Sequence, residues 1–239
     1  KRQLTPILKQ FSHLLRTIPA NGQVVFHEND QTTKHLVDKE NWFDVYSIGN
    51  DKQFYYDESK NLFIFNGKEY DLDELPFFGE HNYKNALMAM CLAYLCDVPY
   101  EESFQALKNY TGVKRRLEVI FHGNTHLVYD DFAHHPTAIE AVSEALKSKY
   151  ASKMIGIIEL ASNTMKSGRH GNTLIDSTKN FDRIYFLDHE NTLNDANSFS
   201  SLEKIIDDLK KVICDYETII IMTNKDSQII SREIIKLCN

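Results

Sequence analysis

An α/β fold is what this sequence predicts, with a doubly wound, mostly parallel sheet in its second half. Three observations carry that expectation. From Val113 onward strand-like runs alternate with amphipathic helical segments, the runs TIIIM and MIGII are apolar along their whole length, and no repeat or low-complexity tract interrupts the alternation. Strands apolar on both faces belong to parallel sheets covered by helices on either side and joined by right-handed crossovers.

In the first half, Ile7, Leu8, Phe11, Leu14, Leu15 and Ile18 recur at helical spacing, so residues 3–17 read as a helix. Pro19-Ala20-Asn21-Gly22 ends it before a strand at Gln23–His27. Residues 45–48, 54–56 and Leu62–Phe65 are rich in β-formers, and Asn66-Gly67 is a strong hairpin signal leading into 69–72. Together they read as a small antiparallel unit. The stretch ALMAMCLAYL, 86–95, is apolar on nearly all sides and describes a buried helix, followed by a second helix over 100–110 that Gly112 can terminate. In the second half the expected order is strand 127–132, helix 136–150, strand 154–160, strand Arg183–Leu187, helix 202–214, strand 218–223 and helix 227–237. The seam between halves is expected within 112–118, giving domains 1–113 and 114–239.

Length and charge limit the function classes. At 239 residues and 42% hydrophobic content the chain can bury a core without disulfide or metal staples. A formal net charge of -7, with both halves more acidic than basic, argues against a partner that is nucleic acid. No apolar run approaches the length that spans a bilayer and the N-terminus has no signal sequence, so a cytoplasmic protein is expected. Cys91, Cys96, Cys214 and Cys238 form no Cys-x-x-Cys pair and read as reduced packing thiols. Position 1 is Lys with a helix already under way, so the chain is expected to be a piece of something longer.

The densest polar constellation is Asp130-Asp131-Phe132-Ala133-His134-His135-Pro136-Thr137, at the carboxyl end of an expected strand and the start of a helix with Pro in its first turn. Ligands of open α/β sheets collect beyond strand carboxyl ends, and a helix N-terminus attracts phosphate or carboxylate. A capping turn or a divalent-metal site built from the same Asp and His residues are the competing readings. A second constellation is Gly79-Glu80-His81-Asn82-Tyr83-Lys84-Asn85. If a helix starts there, Asn82 and Asn85 share a face, and an amide offers the paired donor and acceptor that a purine edge requires; ordinary helix capping is the alternative. A third is Gly112-Val113-Lys114-Arg115-Arg116-Leu117-Glu118, three adjacent cations at the seam that could hold phosphate or simply be a solvated charge run. A fourth, Glu159-Leu160-Ala161-Ser162-Asn163-Thr164-Met165-Lys166, leaves another strand end.

Taken in order, GEHNYKNA, GVKRRLE, YDDFAHHPT and SNTMK resemble the motifs of the Mur ligase family, ATP-dependent amide-forming enzymes of bacterial cell-wall synthesis. The Phe132-Ala133 pair and SNTMK look like that family's murein peptide ligase branch, which joins UDP-N-acetylmuramate to the murein tripeptide L-alanyl-γ-D-glutamyl-meso-diaminopimelate; the L-alanine-adding branch carries Tyr-Gly at the pair. The resemblance implies the latter part of a P-loop-type central domain followed by a Rossmann-like C-terminal domain. The phosphate-cradling G-x-x-x-x-G-K-[ST] needs two glycines five apart, and none of this chain's glycines meets that spacing. The cradle and the Mg²⁺ ligands are therefore expected upstream of Lys1.

By resemblance, His81, Asn82 and Asn85 would contact the adenine and ribose of ATP, and Arg116, with Arg115 second, would reach its phosphates. Asp130 or Asp131 would touch the nucleotide, while His134 faces the reacting carboxylate and phosphate, with His135, Asn163 and Lys166 on the substrate side; no metal ligand is expected in this chain. The family's reaction phosphorylates the lactyl carboxylate to an acyl phosphate that the peptide amine then attacks, and positioning with charge neutralisation carries most of such catalysis. Two departures stand out. Glu159-Leu160-Ala161 lacks the Pro-Arg expected before SNTMK, and 222–227 replaces a glycine-rich Ser-Asn-Gly-Gly loop, so Lys166 or Arg169 is expected to take over the anion contact.

Overall fold

A computed structural model describes residues 4–39, 42–49, 53–161 and 171–238. It divides into two units, Lys1–Thr111 and Gly112–Asn239.

The first unit opens with α1 (Leu4–Leu15), β1 (Gln23–His27), α2 (Gln31–Val37) and β2 (Asp44–Ile48). Asp30 starts α2, its carboxylate accepting the N–H groups of Thr32 and Thr33 at 3.0 and 3.1 Å. β2 runs parallel to β1, with Gln23 opposite Asp44 and His27 opposite Ile48. This corrects the expectation that 45–48 belongs to the antiparallel unit. A parallel neighbour needs a crossover, and α2, which the sequence reading left unassigned, supplies it.

The antiparallel sheet contains only β3 (Phe54–Asp57), β4 (Leu62–Phe65) and β5 (Lys68–Asp71). Asn66 and Gly67 both have positive φ, 52° and 81°, as the tight turn joining β4 to β5 requires. A single 3-10 turn, Leu72–Glu74, leads toward α3 (Glu80–Leu95) and α4 (Tyr100–Lys108). Phe63, Phe65, Leu72, Leu87, Met90, Cys91 and Phe104 form the core beneath them. The apolar α3 buries one face, at Ala86, Leu87, Met90 and Cys91, while Leu92 and Tyr94 remain exposed, so it is not enclosed on all sides. α4 stops at Lys108 with Asn109 as its cap, earlier than Gly112.

The second unit is a six-stranded sheet in the order β10-β9-β8-β11-β7-β6. Its strands are β6 (Glu118–His122), β7 (Leu127–Asp131), β8 (Met154–Glu159), β9 (Arg183–Leu187), β10 (Ser198–Phe199) and β11 (Thr218–Met222). Only the edge strand β6 is antiparallel. α5 (Pro136–Lys149), α6 (Gly171–Asp176), α7 (Leu202–Leu209) and α8 (Gln228–Cys238) complete it. The helix expected over 202–214 ends at Leu209 and is followed by a 3-10 turn, Ile213–Asp215.

Alternate residues of each strand face opposite sides of the sheet. Val128, Ile155, Ile157, Ile219 and Ile221 pack with Ile205 and Leu209 of α7 and Ile230 and Ile234 of α8. Tyr129 lies on the other face, and its hydroxyl meets that of Tyr150, at the end of α5, at 2.8 Å. Helices on both faces of a mostly parallel sheet make this a Rossmann-like, doubly wound arrangement. Because β7, β8, β9 and β11 run the same way, their carboxyl ends share one edge.

The cysteines differ in environment. Cys91 is fully buried and its thiol is pushed up to about 11 by burial, as is the half-buried Cys238 thiol. Cys96 and Cys214 are exposed. Among the described residues no helix is long and apolar enough to cross a membrane.

Two stability predictions follow from these environments. Ile221→Ala empties a fully buried β11 position in the core shared with α7 and α8 and should cost about 2–5 kcal/mol in urea unfolding. Ile229→Ala, at a position 71% exposed, should stay within about 0.5 kcal/mol. For pH, His27 ends β1 with its Nδ1 accepting the Asn29 N–H at 3.3 Å, and its pKa is lowered by burial and by the Lys84 charge. A lowered histidine pKa favours the neutral form in the fold, so that contribution is present above the unfolded pKa and is lost as pH falls through the folded one. Acidification from neutrality should therefore lower the Tm, and His27→Asn should flatten that slope.

Candidate functional site at the carboxyl edge of the second sheet

The shared edge is occupied by side chains from β7, β8, β9 and β11 and from the segment preceding β6. Asp131, 2% exposed, is the hub. Its Oδ2 accepts the Leu117 N–H at 2.7 Å and its Oδ1 accepts the Ala133 N–H at 2.7 Å. The segment it holds is unusual: Arg115 and Leu117 have φ of 59° and 49°, a left-handed conformation that costs non-glycine residues about 1–3 kcal/mol each. Asp131, the Glu118 carboxylate accepting the Arg115 N–H at 2.8 Å, and the Phe132 N–H donating to the Arg115 carbonyl at 2.8 Å fix that turn. Its effect is to present Arg116 at the surface.

The two arginines have different surroundings. Arg115 Nη2 donates to the Thr223 carbonyl at 2.5 Å, and its Nε lies 3.3 Å from Asp130 Oδ2 without hydrogen-bond alignment. Asp130 Oδ2 also accepts the Ser227 hydroxyl at 2.5 Å, while its Oδ1 is buried with no hydrogen-bond partner. Arg116 is exposed. Both guanidinium groups flank the Phe132 ring, at 5.2 and 5.8 Å from its centroid. His134 meets the same ring edge-on at 5.3 Å. Its Nδ1 lies 2.9 Å from the Phe132 carbonyl, and since a carbonyl only accepts, that nitrogen carries the proton. Nε2 is then an acceptor in the neutral ring and a donor in the charged one. His135 is exposed, with Nδ1 2.9 Å from Thr137 Oγ1, at the start of α5.

The structure thus brings Arg115, Arg116, Asp130, Asp131, His134 and His135 to one end of the second unit. It engages both aspartates internally, and it differentiates the arginines into one tethered and one exposed. In the first unit, Gly79, with φ of 95°, starts α3, so His81, Asn82 and Asn85 lie on its first turns. Asn82 Nδ2 donates to the Phe78 carbonyl at 2.8 Å, and Asn85 is exposed. Asn163, Lys166 and Arg169 lie outside the described residues.

Sequence reasoning missed two groupings. A cleft of about 800 Å³ in the first unit sits at the carboxyl ends of β1 and β2, lined by His27, Asn29, Gly49, Tyr56, Glu80 and Lys84. The available signal was the position of His27 and Gly49 at strand ends. The other grouping is Glu159 at the end of β8, 7% exposed, whose Oε2 accepts the Thr223 hydroxyl at 2.5 Å. Its Oε1 has Lys225 Nζ at 3.8 Å and His189 Nε2 at 3.9 Å. Among the described residues, no group of three or more His, Cys, Asp or Glu is arranged to hold a metal ion.

Residues 2–93 match the Mur ligase middle domain and residues 115–233 the Mur ligase glutamate ligase domain. Over 194 residues the chain is 34% identical to the UDP-N-acetylmuramate–L-alanyl-γ-D-glutamyl-meso-2,6-diaminoheptandioate ligase of Haemophilus influenzae, covering 78% of this chain and 43% of that enzyme. It is 33% identical over 168 residues to the UDP-N-acetylmuramate–L-alanine ligase of a Hydrogenobaculum species, covering 68% of this chain and 36% of that enzyme. The crystal structure of a murein peptide ligase from Psychrobacter arcticus superposes with a TM-score of 0.69 at 28% identity, over 99% of this chain and 55% of that one. The chain therefore spans less than half the length of these curated relatives. With two consecutive domains matched and the fold shared, the chain belongs to the Mur ligase family.

Proposed function

We propose that the chain supplies the nucleotide-closing and amine-presenting part of an ATP-dependent ligase that joins UDP-N-acetylmuramate to L-alanyl-γ-D-glutamyl-meso-diaminopimelate. The observation that carries this reading is the Arg116–Phe132–His134 grouping on a strained turn at the carboxyl edge, beside the start of α5. It offers a cation and an imidazole where an anionic reactant is expected to dock.

ATP supplies the phosphoryl group that activates the carboxylate. Within the first unit Asn82 and Asn85, with His81 beside them, would suit a purine and ribose, and within the second unit Arg116, with Arg115 tethered behind it, would suit phosphate. Mg²⁺ is not suited by the described residues, because no three His, Cys, Asp or Glu side chains among them converge and Asp131 spends both oxygens on backbone N–H groups. The lack of such a cluster disfavours a divalent-metal phosphohydrolase built on Asp130, Asp131, His134 and His135.

The chemistry assigns His134 a role in either protonation state. As imidazolium its Nε2 donates to an oxygen of the activated carboxyl or phosphate. As neutral imidazole its Nε2 accepts the proton that the amine loses as its nitrogen attacks the acyl carbon and phosphate leaves. Arg116 offsets the negative charge that accumulates at the phosphate during both transfers. His135, Asn163 and Lys166 would stand on the substrate side. The reading places the reaction in the cytoplasm, where the nucleotide substrates are made.

A second reading, ligation of free L-alanine, draws on the 33% identity to the Hydrogenobaculum ligase. Supplying the full-length ligase with ATP, UDP-N-acetylmuramate and either tripeptide or L-alanine distinguishes them. Amide formation with tripeptide alone is expected; product with L-alanine alone would favour the second reading, and none with either would remove both. In that assay Arg116→Ala and His134→Ala should each lower kcat by roughly 100-fold, the loss typical of removing one group that stabilises transition-state charge, with the circular dichroism spectrum unchanged.

A further inference from the structure

We infer that the amino-terminal edge of the second sheet carries a binding site for a small organic ammonium ion, built around His126 and Glu217. The inference is independent of the ligase reading, because it concerns the edge opposite the one that reading uses.

A cleft of about 470 Å³ opens where the turn between β6 and β7, the end of α5 and the start of β11 meet. That volume falls within the roughly 300–1,000 Å³ of small-molecule sites. β7 and β11, 5 residues each, begin here and end at the carboxyl edge, and at about 3.3 Å per residue they hold the two edges roughly 15 Å apart. The turn is tight: the Gly123 N–H donates to the His126 carbonyl at 2.9 Å, and a Cβ on Gly123 would stand 2.7 Å from the Phe121 ring. The Leu127 N–H donates to the Glu217 carbonyl at 2.8 Å, which fastens the His126 segment beside Glu217.

His126 is 7% exposed and lines the cleft. Its Nδ1 donates to the Tyr216 carbonyl at 2.9 Å, since a carbonyl has no proton to give. In the neutral ring Nε2 is therefore an acceptor, and among the described residues it has no hydrogen-bond partner. A largely buried acceptor left in that state is completed by a ligand that donates to it. Glu217 lines the same cleft, and its carboxylate has no ion-pair partner among the described residues.

The sign of the ligand's charge follows from the rest of the lining. It contains neither Lys nor Arg, so nothing there would offset a bound anion. α5 ends at this edge with Tyr150 as its cap, turning the carbonyl, negative end of the helix dipole toward it. Tyr150 and Tyr216 contribute aromatic rings, which attract cations and accept an apolar body. No group of three His, Cys, Asp or Glu among the described residues is arranged to hold a metal, which leaves an organic ammonium as the cation.

The test uses the 239-residue chain and probes of one shape and different charge: benzylammonium, benzyl alcohol and benzoate. Binding is followed by ¹H–¹⁵N NMR and by the rate at which N-ethylmaleimide alkylates Cys214, which is exposed and lines the cleft; Cys96, exposed in the first unit, is the internal control. Benzylammonium should shift the amides of Gly123, His126, Tyr216 and Thr218 and slow alkylation of Cys214 but not of Cys96. Benzyl alcohol should bind about 10-fold more weakly, the scale of one charge-assisted hydrogen bond, and benzoate should not compete. His126→Asn keeps an N–H for the Tyr216 carbonyl and removes the Nε2 acceptor, so it should weaken benzylammonium binding about 10-fold, as should Glu217→Gln. Equal binding of the alcohol, shifts confined to other residues, no protection of Cys214, or a folded variant that binds as the parent does would overturn the site. If His126→Asn loses its dispersed spectrum, Glu217→Gln, at an exposed position, decides alone.

Discussion

Everything at the functional edge depends on where the Asp131 carboxylate is placed. Burying a carboxylate costs least when its oxygens are satisfied, and both oxygens of Asp131 accept backbone N–H groups from segments on either side of it. One of those segments contains two residues in a left-handed conformation that an isolated peptide would seldom hold. The last residue of β7 therefore acts as a clasp, converting an otherwise unfavourable backbone turn into a fixed platform from which Arg116 emerges beside Phe132 and His134. Asp130, its neighbour on the opposite face of the strand, ties Ser227 and Arg115 to the same strand end. Adjacent acids in sequence are thus organisers on two faces of one strand.

Much of this was legible in the sequence, for identifiable reasons. β8 and β11 announce themselves because strands covered on both faces must be apolar at every position, and the β4–β5 hairpin because few residues besides Asn and Gly accept positive φ in succession. What failed was pairing. The β-rich run at β2 looked like a neighbour of the antiparallel strands, since the crossover that makes it parallel to β1 is a helix of only seven residues with its apolar positions, Leu36 and Val37, at its very end. β6 escaped notice because Val119 is 50% exposed and a bulge interrupts its register, which blurs the alternation that marks a strand.

The site was legible to the same degree and limited in the same way. Its location followed from polar residues at a strand's carboxyl end, but their division of labour did not. Asp131 reaches across 14 residues to Leu117 and Asp130 across 97 to Ser227, so proximity in sequence said nothing about which carboxylate holds what. Glu159, His189 and Lys225 were harder still, for each comes from a different strand and no spacing relates them.

The four cysteines have a practical consequence. Only the ionised thiol reacts readily with maleimides and similar reagents, and burial holds Cys91 and Cys238 well away from ionisation near neutrality. Cys96 and Cys214 are open to solvent, one in each unit. The 239-residue polypeptide therefore carries one solvent-exposed attachment point in each unit, so each unit can be given its own fluorescent dye without engineering a residue.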